Sequence, residues 1–382
     1  MNDQNQYRFQ RQAPQDGSRF TGPSPLWARL HIDVPLLVAL LLTAVIGLIE
    51  LYSATGRNWS LLLKQVASFG MGIAVLLFMA QIPPRIYQAF SPWLFGAVMV
   101  LLVMVALFGT VAMGARRWLT IPGVTRFQPS EFMKLAMPMM MAWYLAGRPL
   151  PPTLKVVALS LILILAPALL IARQPDLGTA ILVSASGFFV LFLAGLPWWL
   201  MLLGLGSAVA IAPFAWHALH DYQKQRILTL FDPEADPLGT GWNIIQSKTA
   251  IGSGGLLGKG WLKGSQAHLE FLPEGHTDFV IAAYSEEFGL MGILVLLALY
   301  SFILTRCLYI ATTATDSYSR LLAGSIALSF FVYVFVNAGM VSGIVPVVGV
   351  PLPFISYGGT AIITLMTGFG MLMSIHTHKK QL

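Results

Sequence analysis

Ten stretches of this chain are each long and apolar enough to cross a bilayer, and they leave few folds open. A hydrocarbon core about 30 Å thick is spanned by roughly 20 apolar residues in a helix. Inside it, only helices and closed barrels satisfy their own backbone hydrogen bonds. The stretches lie near 33–53, 60–81, 88–108, 129–146, 154–172, 177–194, 197–218, 279–305, 320–342 and 357–376. The 382 residues are 56% hydrophobic and only 10% charged, against about 25% charged in soluble domains. The sequence therefore predicts an all-α polytopic membrane protein of about ten transmembrane helices. A long extracytoplasmic loop separates helices seven and eight.

An even number of crossings puts both ends on one side. Arg8, Arg11, Arg19 and Arg29 at the front, and His376-Thr-His-Lys-Lys near the end, place both termini in the cytoplasm. Arg85, Arg148 with Lys155, and Arg306 with Arg320 fall in turns on the same side. Residues 1–30 are polar and rich in Gln, Arg and Pro, without a signal-peptide core, and read as a disordered cytoplasmic tail. Residues 31–382 read as a single transmembrane domain. Its outer side receives the turn at Arg57, the loop 109–128, the turn 173–176, the loop 217–277 and the connection 343–356. The loop 217–277 holds too much Gly, Trp and Pro for a solvated spacer, so it is expected on the membrane surface or folded back into the bundle. The net charge of +7 suits lipid headgroups rather than nucleic acid. The single cysteine, Cys307, excludes an intramolecular disulfide, and no zinc or haem spacing is present.

The chemistry concentrates at the outer face. Ala250–Leu290 is glycine-rich and polar, and Asp278 stands at the edge of the apolar run that follows. Asp278 reads either as the N-cap of the next helix or as a general base, and the two roles are compatible. Glu274 and His276 either orient it or are plain loop residues. In the loop 109–128, Arg116 and Arg117 with Trp118 can fork onto a phosphate, or snorkel to headgroups beside an interfacial tryptophan. Glu131 and Lys134, at i and i+3 in an apolar helix, face one side and can pair, as a functional or a structural ion pair. Glu50, Lys64 and Glu286-Glu287 lie nearer helix ends or lack an obvious partner. Asp176 reads as the cap of the sixth helix. Asn337-Ala-Gly-Met and the proline- and glycine-broken run from Pro346 to Gly359 must be buried or line a cavity. There Ser356 and Tyr357 either donate to a substrate or satisfy local backbone. The glycines of Ile251–Gly255 are a weak phosphate-binding signal.

Several segments together resemble one family. They are GARRW at 114–118, FQPSEFMKL at 127–135, QPDLGTA at 174–180, GTGWNIIQSKTAIGSGGLLGKGW at 239–261, LPEGHTDF at 272–279 and NAGMVSGIVPVVGVPLPFISYGG at 337–359. From about residue 33 onward the chain is similar to the SEDS proteins (shape, elongation, division and sporulation), closest to the RodA-like, elongation-specific branch. The resemblance implies an inverting peptidoglycan glycosyltransferase that polymerises lipid II in the bacterial cytoplasmic (inner) membrane, with its site outside. The family's essential aspartate falls on Asp278, as general base on the acceptor GlcNAc 4-hydroxyl. Its paired Glu and Lys fall on Glu131 and Lys134, and its arginines on Arg116 and Arg117. Trp118, Lys248, Glu274, His276 and Ser356 join them as substrate-contact candidates. Gly275 departs from the family's usual basic or alanine residue and is assigned no role. No metal ligands are assigned, and no cofactor is certain; a divalent cation, Mg or Mn, is left open. The implied partners are lipid II, a class B penicillin-binding protein transpeptidase and the MreB, MreC and MreD elongation machinery. The alternatives are an FtsW-like division polymerase, or a lipid II flippase or scaffold without catalysis.

Overall fold

The computed structural model of the chain describes residues 27, 30–112, 115–120, 126–219, 221–235, 241–265 and 275–378. All ten expected stretches are helical: α1 Val34–Ala54, α2 Trp59–Gln81, α3 Pro84–Phe108, α4 Pro129–Ala146, α5 Leu154–Ala172, α6 Leu177–Leu193, α7 Trp198–Ala218, then, beyond the outer loop, α10 Val280–Thr312, α11 Ser317–Ser342 and α12 Gly359–Thr377. Seven of them (α1, α2, α3, α5, α10, α11, α12) are long and apolar enough to cross a membrane. Leu177–Leu193 and Trp198–Phe214 are apolar but shorter. Polar residues at the turns fix the starts. Asp33 accepts from Leu36 N at 3.0 Å, Asn58 from Ser60 N and Leu61 N, Asp176 from Thr179 N at 3.2 Å, and Asp316 from Ser319 N at 2.8 Å. The expected tail 1–30 lies almost wholly outside the described residues.

Two connections are more ordered than their composition suggests. The loop 109–128 contains a three-stranded antiparallel sheet, β1 Thr110–Ala112, β2 Ala115–Thr120 and β3 Arg126–Phe127, in that order. Strands of two to six residues are too short to show the alternating pattern that marks a strand in sequence. The described residues of the loop 217–277 are partly helical and pack against the bundle. They form α8 Asp221–Phe231, a short 3₁₀ turn, and α9 Trp242–Gly254, which packs on α10 and α11.

α10 is broken at Gly289, whose φ of 64° and ψ of −163° leave the helical region. The loop after α9 completes the gap. Lys259 N donates to Glu286 O at 2.9 Å and Gly260 N to Glu287 O at 3.0 Å, while Leu290 N and Met291 N donate to Gly255 O and Leu256 O. A Cβ on Gly289 would lie 2.3 Å from Gly258 N, so the fit admits only glycine. The break also gives Glu286 and Glu287 the partners that the sequence did not reveal. Lys259 Nζ lies 2.6 Å from Glu286 Oε1, which also accepts from Ser265 N and Oγ. Ser53 on α1 donates to Glu287. Glu50, fully buried on α1, has no hydrogen-bond partner for either carboxylate oxygen among the described residues.

At the end of the bundle that carries both termini, Asp33 holds three elements together. It caps α1, receives the Arg306 fork from α10 at 2.7–3.2 Å, and lies 3.3 Å from His376 Nε2 on α12. Beside it the His31 and His378 rings stack with centroids 4.0 Å apart, and His31 Nδ1 lies 3.1 Å from Thr377 Oγ1.

Candidate active site

The connection 343–358 is the piece around which one end of the bundle is assembled. Its backbone is irregular, and most of 350–356 is buried, as irregular chain at membrane depth requires. Helices reach it from several sides. Gln65 on α2 donates to Ser356 O at 3.1 Å and accepts from Gly358 N. Arg226 on α8 donates to Val347 O at 3.1 Å. On α6, a Cβ at Gly178 would sit 2.6 Å from Val348 O.

Against this connection lies the turn that enters α10, with three consecutive carbonyls engaged. Tyr357 N donates to His276 O at 2.9 Å, Ser356 Oγ to Thr277 O at 2.5 Å, and Asn337 Nδ2 to Asp278 O at 2.8 Å. Asp278 is thus held at the mouth of α10, partly exposed, where a carboxylate can reach a solvent-side group. The helix itself starts at Val280 with Phe279 as its cap residue, so Asp278 is not the side-chain cap. Ser356, 3% exposed, also accepts from Leu352 N at 2.8 Å, so its hydroxyl serves local backbone. The His276 ring lies 6.3 Å from that of Tyr357. Lys248 is exposed on α9 beside the start of the connection, its Nζ 2.9 Å from where a Cβ on Gly343 would be.

A second polar group gathers where β2, α4 and α6 meet. Arg117 Nε donates to Gln174 O at 3.2 Å and its Nη2 to Pro175 O. Gln128 bridges Ser130 and Asp176, each at 2.8 Å. Gln174, nearly buried, donates to Leu102 O of α3. Arg117 therefore reaches the turn before α6, and Trp118 follows it on β2, paired with Thr110. Arg116 is on β2, but its side chain lies outside the described residues, as does the whole of Glu274. One turn into α4, Lys134 Nζ pairs with Glu131 Oε1 at 2.6 Å, both largely buried, and sits 5.5 Å over the Tyr333 ring of α11. Tyr333, Thr364 and Leu365 line both the small cavity at Lys134 and the one at Ser356. The cavity at Lys134 and the one at Ser356, whose hydroxyl donates to Thr277 O, therefore share a wall.

Sequence reasoning named most of these groups, passed over Gln65, Arg226 and Tyr333, and gave Asn337 no role of its own. Gln65 is a single amide on an apolar helix face, and Asn337 was noted only within its motif. The signal for both was present, since a buried amide in a membrane helix needs partners.

A bundle of long apolar helices, one of them broken, with buried ion pairs and a partly exposed carboxylate at the mouth of that helix is the architecture of a polytopic membrane protein. The chain belongs to the FtsW/RodA/SpoVE family, described as cell cycle protein, which matches residues 30–381. It is 52% identical over 357 residues to the peptidoglycan glycosyltransferase MrdB of Escherichia coli K12, covering 93% of this chain and 96% of that one. It is 30% identical to the peptidoglycan glycosyltransferase RodA of Treponema pallidum, covering 91% and 98%. Among solved structures, it matches a chain from work on the coordination of polymerization and crosslinking by a peptidoglycan synthase complex. There the TM-score is 0.80 at 31% identity, over 92% of this chain and 99% of that one. The crystal structure of Thermus thermophilus rod shape determining protein RodA matches with a TM-score of 0.70 at 28% identity, over 92% and 98%.

Proposed function

We propose that this chain is a peptidoglycan glycosyltransferase that polymerises lipid II into β-1,4 glycan strands during cell elongation, with Asp278 as general base. One observation carries the catalytic assignment: Asp278 stands at the rim of the bundle on a turn whose three carbonyls are each engaged. Pre-ordering of this kind is what proton abstraction in a fixed geometry needs. The 52% identity to a protein named peptidoglycan glycosyltransferase supports the activity.

In the reaction, Asp278 takes the proton of the acceptor GlcNAc 4-hydroxyl. That oxygen forms a bond to the anomeric carbon of the donor MurNAc from the face opposite the departing group. The bond from that carbon to the phosphate oxygen breaks, and undecaprenyl pyrophosphate leaves with the electron pair. The product is a β-1,4 link, inverted from the α-phosphate. Arg116, Arg117 and Lys134 are the cations that would offset the leaving charge. Among the described residues no three carboxylate, imidazole or thiol groups converge as a metal cage.

In this reading the protein sits in the bacterial inner membrane with both termini cytoplasmic and Asp278 outside. It works with a class B penicillin-binding protein, as the synthase-complex neighbour suggests, and with the MreB, MreC and MreD assembly. The test is purified protein with labelled lipid II in detergent, with and without that partner. Polymer should form, and Asp278→Asn should lower the rate by about 10²–10⁴-fold, the range for losing a general base. Undiminished polymerisation by Asp278→Asn removes the assignment. Lipid II movement across vesicles without polymer would favour a flippase.

A further inference from the structure

Asp278 is confined from two directions, its backbone from one and its carboxylate from the other, by residues to which the mechanism gives no part. Behind it, Asn337 on α11 is fully buried, and its Nδ2 makes two bonds, 2.8 Å to Asp278 O and 2.7 Å to Val350 O. The two acceptors are both carbonyls, so only the amide nitrogen can face them. One side chain thereby ties the main chain of the base to the connection 343–358. Ahead of it, that same connection passes under the carboxylate at Gly349, where a Cβ would lie 3.2 Å from Asp278 Oδ2. Gly349 adopts φ +74°, and it neighbours the residue whose carbonyl Asn337 holds.

We infer that Asn337 and Gly349 are positioning residues for the catalytic carboxylate: the amide sets the distance between the base and the 349–350 backbone, and the missing side chain leaves the room that Oδ2 occupies. The inference rests on Asp278 being the base. A methyl group at Gly349 has to displace either Oδ2 or the backbone beneath it. Loss of the Asn337 amide leaves Asp278 O and Val350 O without their shared donor and frees the turn to shift. Either change moves the base relative to the acceptor hydroxyl without removing any group that holds the substrate.

The experiment compares wild type, Gly349→Ala, Asn337→Ser and Asp278→Asn with Gly56→Ala as control. Gly56 has φ +61° and open space around it, so its alanine variant carries a comparable backbone strain where a Cβ meets no other group. Polymerisation of labelled lipid II is measured for kcat and KM, and the unfolding midpoint in detergent for each variant. Gly349→Ala and Asn337→Ser should each lose about ten- to a hundredfold in kcat, as expected for a misplaced catalytic group. KM should stay within about threefold, because substrate binding is untouched. Gly349→Ala should unfold within the range of Gly56→Ala. Wild-type kcat in both variants, with Asp278→Asn inactive, overturns the inference and leaves the base in place. A loss in Gly349→Ala that is matched by an unfolding midpoint well below that of Gly56→Ala also overturns it, since it reports general damage. Full activity in Asp278→Asn removes the base itself and this inference with it.

Discussion

A lysine in the middle of an apolar helix is retained only with a partner, and Lys134 shows what that partnership involves. Its Nζ sits 2.6 Å from Glu131, with side-chain exposures of 9% and 13%. Removing one member strands the other, which costs about 3–5 kcal/mol for a buried pair, whereas replacing both with apolar residues is often near neutral. Lys134→Met should therefore lower the unfolding midpoint in detergent far more than the double variant Glu131→Leu/Lys134→Met. Equal losses would show that the two groups do not depend on each other. This pair was legible in the sequence, because i and i+3 on a helix share a face whatever the surroundings. Ser356 was not, because a serine hydroxyl serves a substrate or a backbone equally well. Its accepting from Leu352 N and donating to Thr277 O decide between them.

At the scale of elements, all ten helices were readable because each is a long, mostly apolar run, a pattern independent of tertiary context, although only seven are long and apolar enough to cross a membrane. The break in α10 was not readable. Gly289 lies in an apolar run with other glycines, and nothing local distinguishes the one that leaves the helix. Its necessity comes from Gly258 and Leu256, some thirty positions earlier. Gly289→Ala should accordingly release the inserted loop. Strain at a glycine-only conformation costs about 1–3 kcal/mol, and the four backbone bonds across the gap go with it. Hydrogen exchange at Lys259, Gly260, Leu290 and Met291 should rise together in this variant. Protection equal to wild type would mean that the bonds across the gap survive and that the break does not depend on glycine. The same limit hid the sheet β1–β3, whose strands exist through pairing with one another rather than through a pattern of their own.

Across the whole molecule, the first helix, the broken helix and the last helix meet at Asp33, beside the stacked His31 and His378 rings. Burial, with His378 second, pulls the His31 imidazole below its ordinary value. The folded protein thus binds that proton less readily than the unfolded chain. Stability from this source is full above the ordinary histidine pKa of about 6.5 and is lost as pH falls below it. Asp33, Arg306 and His376 stand close by. The unfolding midpoint should fall from about pH 7 to pH 5, and less steeply in His378→Phe; an identical slope would rule the pair out as its source. The break in α10 has a further consequence for how the chain is made. Residues 255–260 precede Gly289 in the chain, so the strip that fills the gap is made before the helix it completes. Until the two meet, Glu286 O, Glu287 O, Leu290 N and Met291 N lack the partners they have in the folded protein.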